Sequence, residues 1–342
     1  MGYITENYLP TNVSIKDVSE FLELIKYMRI ARPKSRDKNE IARYYFFEET
    51  DYKSWSGVSL SIYKKDENLT VFTHTPVGRS FFDLEHQNYT VRILKKFFGG
   101  TFITDEGKER YMQNIGKPPT PPQAGCHLAY HRFGINILKA YHYFDSRNFP
   151  NDQSEKTGIL DIDEMNPRLL SNNLLIPFLI SILEDYFKST YVVLLKYSDK
   201  KEGVIKNSRI PPNGLIKIAS NTATVEETIA ESLSFQNITS ICQNFKNLDS
   251  KLEIAGILRK PYRKRKISLF ESLEEFVGRR HKFIHQAEMD VSFQDSDVKK
   301  SLDDFEEAVT RSYKYICDYY GWLFIKTWFR GRKHSRKPLE HL

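Results

Sequence analysis

The stretch Pro118-Pro119-Thr120-Pro121-Pro122 constrains this chain more than any other feature. Four prolines in five residues fix φ and remove backbone donors, so neither a helix interior nor a central strand can run through them. A domain junction is expected there or just after it. The 342 residues are enough for two domains with separate cores, and the chain reads differently on the two sides of the prolines.

Ahead of the junction, Ser14-Ile15-Lys16-Asp17 has the form of a helix start, and Val18, Phe21, Leu22, Ile25 and Met28 follow at helical spacing. Three strand-like runs come next, at residues 43–48, 58–63 and 69–73, with Asp66-Glu67-Asn68 as the turn between the last two. The pattern predicts a helix over 81–98 that stops at Gly99-Gly100, and a fourth strand over 101–104. Residues 1–115 therefore read as a small α+β domain. Gly78-Arg79-Ser80 lacks the further glycines and lysine of a phosphate-binding loop and reads as a loop leading into a helix cap.

Beyond it, residues 116–169 read as a proline-rich linker with a connecting helix over about 124–144. That helix carries His127 and His131 at a spacing that can chelate zinc, but no acidic partner or further ligand pair accompanies them. No metal and no cofactor are expected. Residues 170–329 are largely helical, with a loop at 207–221 around Pro211-Pro212 and a basic tail at 330–342. Expected helices span 174–197 and 268–286. A third runs from the capping box Thr224-Val225-Glu226-Glu227 to about residue 248, and a fourth begins after Asp295-Ser296.

The cysteines, Cys126, Cys242 and Cys317, are three in number and far apart, which argues against a disulfide framework and for a reducing compartment, by default the cytoplasm. The longest apolar run, 174–183, is interrupted by Pro177 and Ser181, so a soluble protein with no membrane partner is expected. The formal charge of +7 is concentrated: Arg259, Lys260, Arg263, Lys264, Arg265 and Lys266 fall within eight residues. Such a cluster suits phosphates, as on RNA, although a solvated loop would carry the same composition.

The segment from Phe276 to His285 places an arginine where a helix buries apolar side chains. Leu269, Leu273, Phe276, Phe283 and Ile284 recur at helical spacing, and Arg280 falls within their stripe. A guanidinium there has to be paired or functional. Glu184 lies beside another apolar stripe, of Ile180, Leu183, Phe187 and Tyr191, and Arg280 is its natural cation, in a core salt bridge or in a site that leaves donors free for a phosphate. At about 100° per residue, Arg280 and His285 diverge by about 140° on one helix, whereas His281 and His285 lie only about 40° apart. A shared phosphate site therefore calls for a helix distortion or a second copy of the helix.

Arg280-His281-Lys282-Phe283-Ile284-His285 resembles the R-x4-6-H signature of the HEPN superfamily, with histidine where that family usually has asparagine after the arginine. The resemblance extends more weakly to Leu183-Glu184-Asp185-Tyr186-Phe187 and to Ser234-Phe235-Gln236-Asn237, and covers about residues 170–325. It implies an all-α HEPN-like bundle following the α+β domain, acting as a homodimer and cutting RNA without metal. The ribose 2′-hydroxyl would attack the adjacent phosphate, with His285 as general acid or base, Arg280 stabilising charge on the phosphate, and His281 and Glu184 assisting. It also implies a role in toxin or antiphage defence, with the N-terminal domain as sensor or regulator and an antitoxin or regulatory partner. The alternative is a noncatalytic HEPN-like dimer that binds nucleic acid or a nucleotide.

Overall fold

The computed structural model describes residues 2–31, 37–65, 68–114, 116–149 and 157–326. The chain divides into two compact units, one ending at Ala124 and the other starting at Gly125. The first is α+β, built on an antiparallel sheet, and the second is helical.

The first unit contains strands β1 (Tyr3–Tyr8), β2 (Met28–Arg29), β3 (Glu40–Phe46), β4 (Val58–Lys65), β5 (Asn68–Thr75), β6 (Thr101–Thr104) and β7 (Gly107–Lys108), with helices α1 (Ile15–Leu24) and α2 (Phe81–Phe98). The sheet order is β2-β3-β4-β5-β1-β6-β7. Strand β1, which the periodicity does not reveal, pairs with β5 from Tyr3 opposite Thr75 to Tyr8 opposite Thr70, and on its other edge with β6. Its buried residues are the polar Thr5 and Asn7, so it lacks the apolar alternation of a half-buried strand. Asn7 lies in a polar seam, where its amide donates to the Val71 carbonyl and Gln87 of α2 donates to the carbonyls of Tyr3 and Thr73 and accepts from the Thr75 hydroxyl, whereas the Thr5 hydroxyl has no hydrogen-bond partner among the described residues. Gly100, at φ +83°, lets β6 return beside β1, because a Cβ there would stand 2.1 Å from the Tyr8 carbonyl oxygen.

Helix α1 starts on the Ser14 cap as expected but stops at Leu24, where Lys26 turns left-handed at φ 67° and sends Met28 into β2. Ser80 caps α2 reciprocally with Asp83, whose Oδ2 also accepts from the backbone of Trp55 and Ser56 and so ties that loop to the helix. Arg79 lies over the Tyr3 ring, so this turn is a cap and not an anion cradle. The expected turn residues Asp66 and Glu67 lie outside the described residues.

The second unit contains α3 (Pro121–Ser146), α4 (Leu160–Glu164), α5 (Pro167–Lys196), α6 (Lys201–Asn207), α7 (Pro212–Ala219), α8 (Val225–Ser232), α9 (Ile238–Leu248), α10 (Ile254–Leu258), α11 (Leu269–Gln286) and α12 (Asp295–Tyr320). The unit boundary falls within the first turn of α3, and the prolines do not delay that helix, because a first turn needs no backbone donors. Its inner face buries Cys126, Tyr130, Phe133, Ile137 and Tyr141, so α3 is part of this core where a mere connector over 116–169 was expected. His127, also buried, shares a hydrogen bond of 3.0 Å with the Tyr313 hydroxyl of α12.

Two further differences have local causes. The expected loop at 207–221 contains α7, started by Pro212 in a first turn for which its φ is preset. The helix expected from Thr224 to residue 248 is two helices: Leu233 is extended, Phe235 is buried in the break, and Asn237 caps α9. Among the described residues no helix is long and apolar enough to cross a membrane.

Candidate functional site

Helix α11 begins on a reciprocal cap between Ser268 and Glu271 and ends at Ala287, whose left-handed backbone donates to the Lys282 carbonyl. It packs on α5 and α12, but its buried stripe of Leu269, Phe270, Leu273 and Phe276 ends there. The expected continuation through Phe283 and Ile284 is not buried within the chain: Phe283 is half-buried and Ile284 is 48% exposed. Among the described residues, no residue of the Arg280–His285 motif is thus fully buried.

The anchoring arginine is Arg279, not Arg280. Arg279 pairs with Glu275 at 2.9 Å and with Asp290 at 3.1 Å, and its guanidinium lies 5.0 Å from the centroid of the Phe293 ring. Arg280 is half-buried and has no hydrogen bond or ion pair among the described residues. It faces Glu184 of α5 without the close salt bridge expected from the sequence. Burial raises the Glu184 carboxyl above its ordinary range, the Arg280 and Lys188 charges opposing this, and Oε1 is shielded from water without a hydrogen-bond partner. A cation and a poorly solvated carboxyl therefore stand near each other with hydrogen-bonding capacity unspent.

His281 and His285 are both exposed, with ring centroids 4.8 Å apart, as their angular spacing requires. Lys282, between them in sequence, is drawn to Glu288 at 3.5 Å. Helix α11 does not bring Arg280 and His285 together: one is half-buried beside α5, the other is in solvent.

The loop after α11 is held by residues that lie outside the motif. Asn173 of α5 donates to the Asp290 carbonyl at 3.1 Å and accepts from the Asp290 amide at 3.0 Å. Asn172 donates to the Phe293 carbonyl at 2.9 Å and to Asp295 at 3.1 Å, and Arg147 and Arg168 also pair with Asp295. Two adjacent asparagines in a strongly apolar helix are the sequence signal for this anchorage, since buried amides require partners.

The basic cluster divides in two. Arg265 grips the buried Asp304 through both guanidinium ends, Ser272 donates to the same carboxylate at 2.7 Å, and Arg263 pairs with Asp303 at 2.9 Å. Both arginines and Arg311 lie against the ring of Tyr262, while Arg259 lies over Phe270. Lys260, Lys264 and Lys266 are exposed, with Lys264 at the tip of a turn whose residues 263 and 264 are both left-handed, at φ 49° and 56°. The basic tail at 330–342 lies outside the described residues. Comparison with protein-family models, with curated proteins and with solved structures finds no match for this chain.

Proposed function

We propose that this chain is a HEPN-type, metal-independent endoribonuclease whose site is the C-terminal half of α11, completed by a second copy. The observation that carries this reading is a division of labour within about two turns of helix. Arg279 and Lys282 are taken up by carboxylates, whereas Arg280, His281 and His285 keep their donors and acceptors available. A guanidinium with no ion pair suits the charge that develops on a phosphate, and a solvent-facing imidazole suits proton transfer.

In the proposed step, the ribose 2′-oxygen bonds to phosphorus as one base takes its proton. The bond from phosphorus to the 5′-oxygen then breaks, and an acid supplies the proton to that leaving oxygen. The products are a 2′,3′-cyclic phosphate and a 5′-hydroxyl. His285 carries one proton transfer and Arg280 holds the non-bridging oxygens. Because Arg280 and His285 diverge on one helix, the two-fold partner brings the missing group, and the exposed Ile284 and half-buried Phe283 offer it an apolar seat. The exposed lysines at 260, 264 and 266 supply phosphate contacts without base specificity. A defence role and a regulatory partner belong to the same reading through the HEPN resemblance alone, and a cytoplasmic location through the cysteine usage.

The test is incubation of the full chain with mixed RNA and with DNA, in EDTA, beside His285→Ala. The expected result is RNA cut to cyclic-phosphate ends by the parent protein and left intact by the variant. RNA bound but never cut supports the noncatalytic alternative. Activity abolished by EDTA and restored by a divalent ion overturns the mechanism.

A further inference from the structure

The histidine pair has a second chemistry that follows from its placement. Residues four apart on a helix project side by side, and the two imidazole centroids are 4.8 Å apart at the end of α11. Both rings are exposed, and neither has a hydrogen-bond partner among the described residues. Lys282 is occupied with Glu288 and Arg279 with Glu275 and Asp290, so two of the three nearest cations in sequence are partly neutralised, while Arg280 is half-buried beside Glu184. What remains is a pair of nitrogen donors with no carboxylate or thiol placed to join them as a third ligand among the described residues.

We infer that His281 and His285 chelate a divalent transition-metal ion of the zinc class, and that this ion inhibits the site. Imidazole nitrogen suits zinc, nickel and copper, bound at about 2.0–2.1 Å for zinc, and is a poor ligand for magnesium or calcium, which prefer oxygen. With two protein ligands, water completes the coordination. No group of three or more His, Cys, Asp or Glu able to hold a metal forms among the described residues, so the ion is a reversible effector and not a resident cofactor. Elsewhere, His127 is turned into the core on Tyr313, and all three cysteines are buried. An ion on the His285 nitrogen removes the lone pair needed for proton transfer. Inhibition therefore rests on the ribonuclease reading, whereas binding does not.

The experiment is calorimetric titration of the metal-stripped full chain with zinc chloride and with magnesium chloride, under mildly alkaline conditions that leave imidazoles unprotonated. Zinc should bind and magnesium should not. His281→Ala and His285→Ala should each weaken zinc binding by at least about tenfold, since each leaves a single ligand, with unchanged helical circular dichroism. His131→Ala should leave it unchanged. Zinc binding that survives in His281→Ala or His285→Ala, or no zinc binding by the parent chain, overturns the site. In the cleavage assay, zinc should stop RNA cutting and excess EDTA should restore it. Cutting that continues with zinc bound overturns the inhibitory role. No cutting under any condition defeats the ribonuclease reading, while the titration still decides the metal site.

Discussion

Substituting Arg279 and Arg280 separately should dissociate stability from chemistry. Arg279→Ala removes two partly exposed ion pairs, at 2.9 and 3.1 Å, and a guanidinium stacked over Phe293. At about 0.2–1 kcal/mol for each pair and about 0.5–1 kcal/mol for the ring contact, the loss is about 1–3 kcal/mol. In a unit of this size that lowers the thermal midpoint by about 2–12 °C. Arg280→Ala removes no ion pair and puts a strong helix former in place, so stability should stay within about 0.5 kcal/mol of the parent. Its cost should fall on cleavage, by about 10²–10³-fold, the scale of losing one donor to a developing oxyanion. Arg279→Ala, assayed well below its midpoint, should keep most of its activity. The assay pairs urea and thermal unfolding, followed by circular dichroism, with single-turnover RNA cleavage. If Arg280→Ala destabilises the chain as much as Arg279→Ala, or still cuts RNA at the parental rate, the division of labour is refuted.

Three further outcomes are expected. Replacing Lys260, Lys264 and Lys266 by serine should weaken RNA binding across sequences and reduce the salt slope by about 2, at about 0.7 for each single-strand phosphate that is no longer neutralised; Arg265→Ala should instead destabilise the fold by about 3 kcal/mol by stranding Asp304, and a slope unmoved by the lysine variant would reduce the cluster to a solvated loop. Because burial raises the Glu184 carboxyl from 4.5, with Arg280 and Lys188 opposing, its folded-state stabilisation is present below that value and lost as pH rises through the folded pKa. Glu184→Gln should therefore be the more stable protein at neutral pH and match the parent in acid, as urea midpoints at the two pH values will show. The protein should sediment as a dimer at micromolar concentration, and Arg280→Ala mixed with His285→Ala should recover activity; a monomer that cuts RNA contradicts the shared site.

Features that depend on residues a few positions apart are legible in the sequence. The division near the prolines, the Thr224 cap, the bounds of α11 and the proximity of His281 to His285 all follow from φ limits, capping chemistry and 3.6-residue periodicity. The rest needed the folded chain, because the decisive partners are distant in sequence. Strand β1 is invisible to periodicity, since its buried residues are the polar Thr5 and Asn7, and Asn7 reaches a β5 carbonyl 64 positions away. Arg263 and Arg265 read like the lysines around them until Asp303 and Asp304 of α12 arrive to pair with them. Arg279 and Arg280 are adjacent and chemically identical; the fold assigns one to Asp290 and Phe293 and leaves the other facing Glu184, because a helix turns neighbouring side chains about 100° apart and only packing determines what waits on each side.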